Sequence, residues 1–215
     1  MSFILNAKVL HESDTFDFTC NCCSDCCRNV ENTVMVESLD LFRIARHLRL
    51  ETSQVFEEYT EFRTVAWGAP ILLMKTKGDD NSCVFLESGR CSIRDARTRA
   101  CRLYPLSIGP NDDLTGRIIL KSPERGFHYS GQTHKAGDWV DANMDSEDTA
   151  YIWHEYRMFK TLGRIMSRIP RERENEVLTQ MMIFRFIMFD TDCDFMTQFE
   201  NNMKQLKMRL EQMVV

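Results

Sequence analysis

The sequence predicts a mixed α+β, mainly helical protein, with a cysteine-rich N-terminal domain followed by a C-terminal helical bundle. Three observations predict it. Eight of the nine cysteines fall between Cys20 and Cys101. The same half holds short apolar runs bounded by turn signals, which is the pattern of brief strands. From about Ser146 onward the apolar residues recur with a helical period. The expected division is a cysteine-cluster domain over 1–110, an irregular connecting segment over 111–145 and a helical region over 146–215.

Residues 14–29 are polar and cysteine-dense with neither helical nor strand period, and are expected to be a loop. Val34 to Val36 is a short strand-like piece. Ser38 then offers an N-cap for a helix whose apolar face is Leu41, Ile44, Ala45 and Leu48. Thr52 offers the cap of a second helix carrying Val55, Phe56, Tyr59 and Phe62 inward, so the two make a helical hairpin. These apolar stripes read as core, because a hairpin alone does not make a DNA reader. Ile71 to Lys75 and Val84 to Leu86 are candidate strands, separated by the turn Gly78-Asp79-Asp80-Asn81. Glu87-Ser88-Gly89 and Gly109-Pro110-Asn111-Asp112-Asp113 are further turns, Arg117 to Lys121 is a strand, and 122–146 carries no motif.

The C-terminal region holds three helices. The first bears the stripe Ile152, Tyr156, Phe159, Leu162, Ile165 and Ile169 and stops at Pro170; the second runs from Glu174 to about Phe189. The third, Asp194 to Met213, spaces Met196, Phe199, Met203, Leu206, Leu210 and Met213 like a heptad seam. That seam is barely two and a half heptads long, which favours packing within the chain, with a homodimer through this helix as the alternative. Methionines on these faces are gap-filling core, and Cys193 is expected to be a buried structural thiol.

Composition narrows the class. At 215 residues with 43% hydrophobic and 27% charged residues the chain can bury a real core. The net charge of -5 gives no overall field favouring nucleic acid or an anionic membrane, so neither is an expected partner. Phe3 to Leu5 is too short for a signal-peptide core, and no run approaches a membrane span. A soluble cytoplasmic protein is the expectation. In that reducing compartment clustered cysteines point to metal ligation rather than disulfides.

The decisive segment is Phe18-Thr19-Cys20-Asn21-Cys22-Cys23-Ser24-Asp25-Cys26-Cys27. Steps of three give Cys20, Cys23 and Cys26, with Cys27 following directly. Cys-x-x-Cys puts two sulfurs on one tight turn, close enough for one metal ion or neighbouring irons. Adjacent side chains diverge, so Cys26 and Cys27 suit different irons, two metal sites, or one ligand beside a supporting thiol. Cys83, Cys91 and Cys101 follow at wider spacing, so a shared metal would tie the first loop to a later one and couple binding to folding. Zinc is the rival of a 4Fe-4S cluster, but there is one dense knuckle rather than two, and His11, His47, His128, His134 and His154 stand at no ligand spacing. The balance favours iron–sulfur.

Arg90, Arg94, Arg97, Arg99 and Arg102 surround Cys91 and Cys101. Guanidinium groups would stabilise a negatively charged thiolate site, or hold an anionic substrate or cofactor by bidentate contacts. The bland alternative is a solvated charged face.

Phe18-x-Cys20-x-x-Cys23-x-x-Cys26-Cys27, Cys83-x-Phe85-Leu86, Gly89-Arg90-Cys91-Ser92-Ile93 and Cys101-Arg102-x-Tyr104-Pro105 resemble, in that order, the YkgJ-type cysteine-cluster family, described as a zinc- or iron-chelating CxxCxxCC domain. The resemblance runs from about residue 16 to 108 and implies Cys20, Cys23, Cys26, Cys27, Cys83, Cys91 and Cys101 as ligands. Cys22 is extra, an eighth ligand or a bystander, and the family's Arg-Pro before its last cysteine is here Arg97-Thr98. A related cysteine-rich group includes flagellin lysine-N-methylases. Analogy with it implies a protein methyltransferase using S-adenosylmethionine, with Arg97, Arg99, Arg102 and Tyr104 around the site and a protein as substrate. No glycine-rich methyltransferase loop follows a strand here. A third alternative is a structural zinc adaptor whose C-terminal helices bind a protein partner.

Overall fold

The computed structural model describes residues 7–64, 70–111, 113, 115–123 and 131–214. Phe3 to Leu5, Asp112 and His128 of the sequence reading lie outside them. The strands and helices in the first half are β1 (Lys8–Leu10), β2 (Thr15–Asp17), β3 (Met35–Val36), α1 (Ser38–Leu48), α2 (Thr52–Tyr59), β4 (Thr60–Thr64), β5 (Pro70–Met74), β6 (Thr76–Lys77), β7 (Ser82–Cys83), β8 (Leu86–Glu87), β9 (Arg90–Cys91) and α3 (Arg99–Leu103). There follow β10 (Leu106–Pro110), β11 (Arg117–Lys121), β12 (Thr133–Lys135), α4 (Ala136–Asn143), α5 (Ser146–Met166), α6 (Glu174–Met182) and α7 (Phe195–Glu211). The fold is mixed α+β. It divides into two compact units that are interleaved along the chain: one of residues 1–35 and 74–149, the other of 36–73 and 150–215.

The first, cysteine-bearing unit is built from small sheets. β11 sits between β1 and β10, antiparallel to both, with Ile119 opposite Leu10 and Ile108. β12 pairs antiparallel with β2, setting His134 opposite Phe16. The sequence gives this second pair no signal, and the expected loop over 14–29 and irregular stretch over 122–146 are corrected here. Both strands are only three residues long, too short to show a period, and are made by pairing across more than a hundred residues. Leu10, Phe16, Phe18, Leu103, Leu106, Ile119, Ala136 and Val140 form one buried cluster. Phe18 meets Trp139 edge-on at 5.5 Å, and the Trp139 indole N–H donates to the Leu103 carbonyl at 2.9 Å. That bond satisfies the one polar group of a large apolar ring.

In the helical unit, α1 and α2 form the expected hairpin, with Leu41, Ile44, Ala45 and Val55 almost wholly buried. Their caps lie one residue earlier than expected. Glu37 and Asp40, and again Glu51 and Gln54, make reciprocal capping boxes. Ser38 and Thr52 are the first helical residues instead, and the Thr52 hydroxyl donates to the Ile187 carbonyl at 2.6 Å. α2 stops at Tyr59, so Phe62 belongs to β4 rather than to a helical stripe.

α7 buries Phe199, Met203, Leu206 and Leu210 within the unit, Met213 is buried just past its end, and Phe199 stands 5.0 Å from Tyr151 and 5.5 Å from Phe195. The expected helix over 174–189 is α6 followed by a π-helical turn at Ile183–Ile187. That turn carries Arg185, whose guanidinium pairs with Glu155 and donates to the Pro70 carbonyl at 3.1 Å, each side chain of the ion pair being 6% exposed. Cys193 is exposed, not buried: it sits in the polar turn before α7, where Asp194 caps the helix by accepting from the Thr197 amide at 2.8 Å.

Candidate metal centre

The first cysteine arm leaves β2 and is held at both ends. Upstream, the Phe18 amide donates to the Gln132 carbonyl at 3.0 Å, and the Gln132 amide donates to the Thr19 hydroxyl at 3.1 Å. Downstream, the Ser24 hydroxyl donates to the Gly89 carbonyl at 2.6 Å. Gly89 and Ser88 have positive φ of 73° and 47° and turn β8 back onto β9, so this carbonyl is presented by the tight turn itself. Ser24, also left-handed at φ 69°, starts a short 3₁₀ turn over Asp25–Cys27. Asn29 and Val30 then donate to the Asp80 and Asn81 carbonyls, and Arg28 pairs with Asp80 at 2.6 Å, fixing the arm to the β6–β7 turn. The sequence named both turns but not their partners, because a turn's outward carbonyls carry no sequence signature.

Those latches bring Cys26 and Cys27 to the strands carrying Cys83 and Cys91. The Cys26 and Cys27 sulfurs lie 3.9 Å apart. Their contact, followed by burial and by the charges of Cys101 and Cys83, holds the Cys27 thiol well above its ordinary range. Burial pushes up the Cys83 and Cys91 thiols too, and Cys26 adds to both. Burial is also the main cause at Cys101, which is pushed up to about 12, with Cys83, Cys26 and Cys91 contributing and the Thr98 hydroxyl opposing. Cys101 sits on α3, where the Thr98 hydroxyl caps the helix by accepting its amide. Five sulfurs from four separate segments therefore share one electrostatic neighbourhood, and each would favour its neighbours' thiolate form only if a cation were among them.

A local device repeats among the clustered cysteines. The amide two residues after a cysteine donates to its sulfur: Asp25 to Cys23 at 3.4 Å, Phe85 to Cys83 and Ile93 to Cys91. Hydrogen bonds to sulfur favour the anionic, metal-ligating form and orient it. Arg97 and Arg94 act on Cys91 in the same direction. The donor set is thus all-thiol, partly sheltered and supplied with amide donors, which fits zinc or an iron–sulfur cluster. Among the described residues no three His, Cys, Asp or Glu side chains stand close enough together to hold a metal ion as they are placed. None of the nine cysteines is in a disulfide.

Cys20, Cys22, Cys23 and Cys26 are exposed along the arm, and Cys27 is half-buried. The candidate cofactor residues are dispersed in role. Arg102 makes a bidentate pair with Asp148, both bonds 2.7 Å, and donates to the Asn143 and Arg97 carbonyls, so its guanidinium is committed inside the unit. Tyr104 meets Phe18 edge-on at 5.8 Å beside the buried cluster. Arg99 is buried at 6% exposure, and Arg97 is partly buried and donates to the Arg94 carbonyl. Sequence reasoning missed Ser24, Asp148 and β12 (Thr133–Lys135); only the Ser-Asp pair before Cys26 could have hinted at the first.

Compared with known families, residues 19–134 match the CxxCxxCC profile, described as a "putative zinc- or iron-chelating domain". That match covers over half the chain. The protein belongs to the CxxCxxCC family. The family span closes at His134, whose ring nitrogen hydrogen bonds the Phe18 carbonyl at 2.9 Å, so the CxxCxxCC segment begins and ends at the β2–β12 pair. No curated protein and no solved structure matches the chain. No helix of the described residues is long and apolar enough to cross a membrane.

Proposed function

We propose that this chain holds a resident iron–sulfur cluster through cysteine thiolates, with Cys26, Cys27, Cys83, Cys91 and Cys101 as the inner donors. The observation that carries the reading is the gathering of these sulfurs from four segments, Cys83 and Cys91 also receiving the amide two residues on. An adjacent pair such as Cys26 and Cys27 serves different irons more readily than one tetrahedral ion. The absence of histidine from this set of sulfurs suits the same choice. A bound cluster would supply thiolate-tuned redox chemistry. The residues do the remainder: the amides of Phe85 and Ile93 orient the Cys83 and Cys91 sulfurs, Arg94 and Arg97 offset negative charge beside Cys91, and Thr98 fixes Cys101 at the start of α3.

Anaerobic purification followed by iron, sulfide and zinc analysis with a visible absorption spectrum tests this. Stoichiometric iron and sulfide with a brown, thiolate-to-iron absorption is expected. A colourless protein with one zinc and no iron, even after reconstitution, would move the assignment to zinc. A protein that retains neither would remove the metal reading altogether.

A further inference from the structure

We propose that the cationic face of α5 and the apolar groove beside it dock an acidic protein segment that carries aliphatic side chains. The inference concerns the helical unit alone and does not depend on the metal centre.

The charge is set by the sequence. Between Tyr156 and Arg171 stand Arg157, Lys160, Arg164, Arg168 and Arg171 with no aspartate or glutamate, in a chain of 32 acidic and 27 basic residues. Spacings of three and four put Arg157, Lys160 and Arg164 on one face of α5, and Arg168 and Arg171 follow in the turn beyond it. All five are exposed, and among the described residues none of their side chains is held by a carboxylate. A face that only keeps a protein in solution ordinarily mixes both signs. The helix dipole favours cations over the last turn, which accounts for Arg164 but not for Arg157 and Lys160.

Beside this line runs an open groove of about 410 Å³, lined by Phe159, Gly163, Met166, Ile169, Val177 and Leu178. Phe159, Gly163 and Met166 share a face of α5 roughly a quarter-turn round from the cations. Arg171 lines the groove as well, with Glu174 on the α6 side. Gly163 argues for an occupant. It sits inside α5, where glycine is less favourable than alanine, yet a Cβ there would meet no atom within 4 Å. The fold's own packing does not require the missing side chain, whose absence deepens the groove for an entering group.

The shape selects the partner. A flat anionic bilayer cannot enter a concave groove, and Val9, Met35, Met188 and Met208, the large apolar side chains exposed among the described residues, are not on α5 to insert into one. Nucleic acid would use the cations but find only one ring in the groove, Phe159, with the Arg185 guanidinium already over it at 4.4 Å. Acidic side chains against the cations, with aliphatic ones in the groove, satisfy both surfaces together.

The test uses the full chain with its resident metal and a fluorescent glutamate-rich peptide bearing leucines, read by anisotropy. The comparison probes are the same peptide with alanine for leucine, a single-stranded oligonucleotide of equal charge and phosphatidylglycerol vesicles. The leucine peptide should bind about tenfold more tightly than the alanine peptide, and more weakly as salt is raised. The double variant Lys160→Glu and Arg164→Glu should weaken its binding about tenfold or more. Gly163→Leu should weaken binding as much while unfolding at the same temperature as the unaltered protein or higher, because it fills the groove and removes a helical glycine. Failure of the leucine peptide to bind, or binding that survives the double variant, would overturn the proposal. So would equal affinity for the two peptides or full binding by Gly163→Leu, either of which would leave the groove without a role. Tighter binding of the oligonucleotide or the vesicles than of the leucine peptide would overturn the choice of a protein segment.

Discussion

In the helical unit Phe42, Tyr151, Phe195 and Phe199 are almost wholly out of water and lie ring to ring, with Phe42 5.2 Å from Phe195. In the cysteine unit the segments bearing Cys26, Cys83 and Cys91 are joined instead by a few polar contacts between turns: Ser24 to Gly89, Asn29 to Asp80, Val30 to Asn81 and the Arg28–Asp80 ion pair. Burying one large apolar side chain contributes about 1.5–3 kcal/mol, whereas one such hydrogen bond contributes about 0.5–1.5 kcal/mol net. The comparison teaches that the helical unit carries its own stability. The cysteine segments around residues 20–30 and 76–101 are positioned by geometry and need a further cross-link to be rigid, which a metal bound by sulfurs from four segments would supply.

The strongest way to break that contrast is to remove the metal. Treating the full chain with a chelator under reducing conditions should expose the amides of 20–30 and 76–101 to hydrogen exchange while α1, α2 and α7 stay protected. Uniform loss of protection in both units would show that the contrast is false. Next in size, Glu155→Ala leaves the buried Arg185 guanidinium without its partner and should cost about 3–5 kcal/mol, seen as a lower denaturation midpoint with metal content per folded molecule unchanged. Phe199→Ala should cost a comparable 3–5 kcal/mol or so by leaving a cavity between Tyr151 and Phe195. If either variant released the metal as readily as a cysteine substitution, the two units could not be treated as separate sources of stability. The smallest effect is at the latch. Ser24→Ala removes the bond to the Gly89 carbonyl, for about 1 kcal/mol, and should speed metal release to a competing chelator without shifting hydrogen exchange in α7. An unchanged release rate would remove Ser24 from the positioning of the arm.

Local features of both units were legible in sequence. The knuckle spacing from Cys20 to Cys27, the Gly78–Asn81 and Ser88–Gly89 turns and the apolar faces of α1 and α7 all depend on residues within a few positions of one another. Helix starts were displaced by one residue because Glu at the cap can form a reciprocal box that its low rank as a cap conceals. β2, β12 and the π-helical turn at Ile183–Ile187 had no local signal, since each is stabilised by partners far along the chain. Cys193 was misread because burial of a thiol depends on where its turn lies, and this turn is polar.

By itself the sequence determined which residues could ligate a metal, since thiol chemistry and close spacing are properties of the chain. It also determined the family through those spacings. Only the tertiary structure decided which later cysteines the arm meets, because Cys26 and Cys27 are brought toward Cys83, Cys91 and Cys101 by the Ser24–Gly89 and Asn29–Asp80 bonds across more than fifty residues. It likewise decided that Arg102 belongs to Asp148 rather than to a ligand. A guanidinium is satisfied by whichever carboxylate folding brings within reach, and no spacing along the chain records that choice.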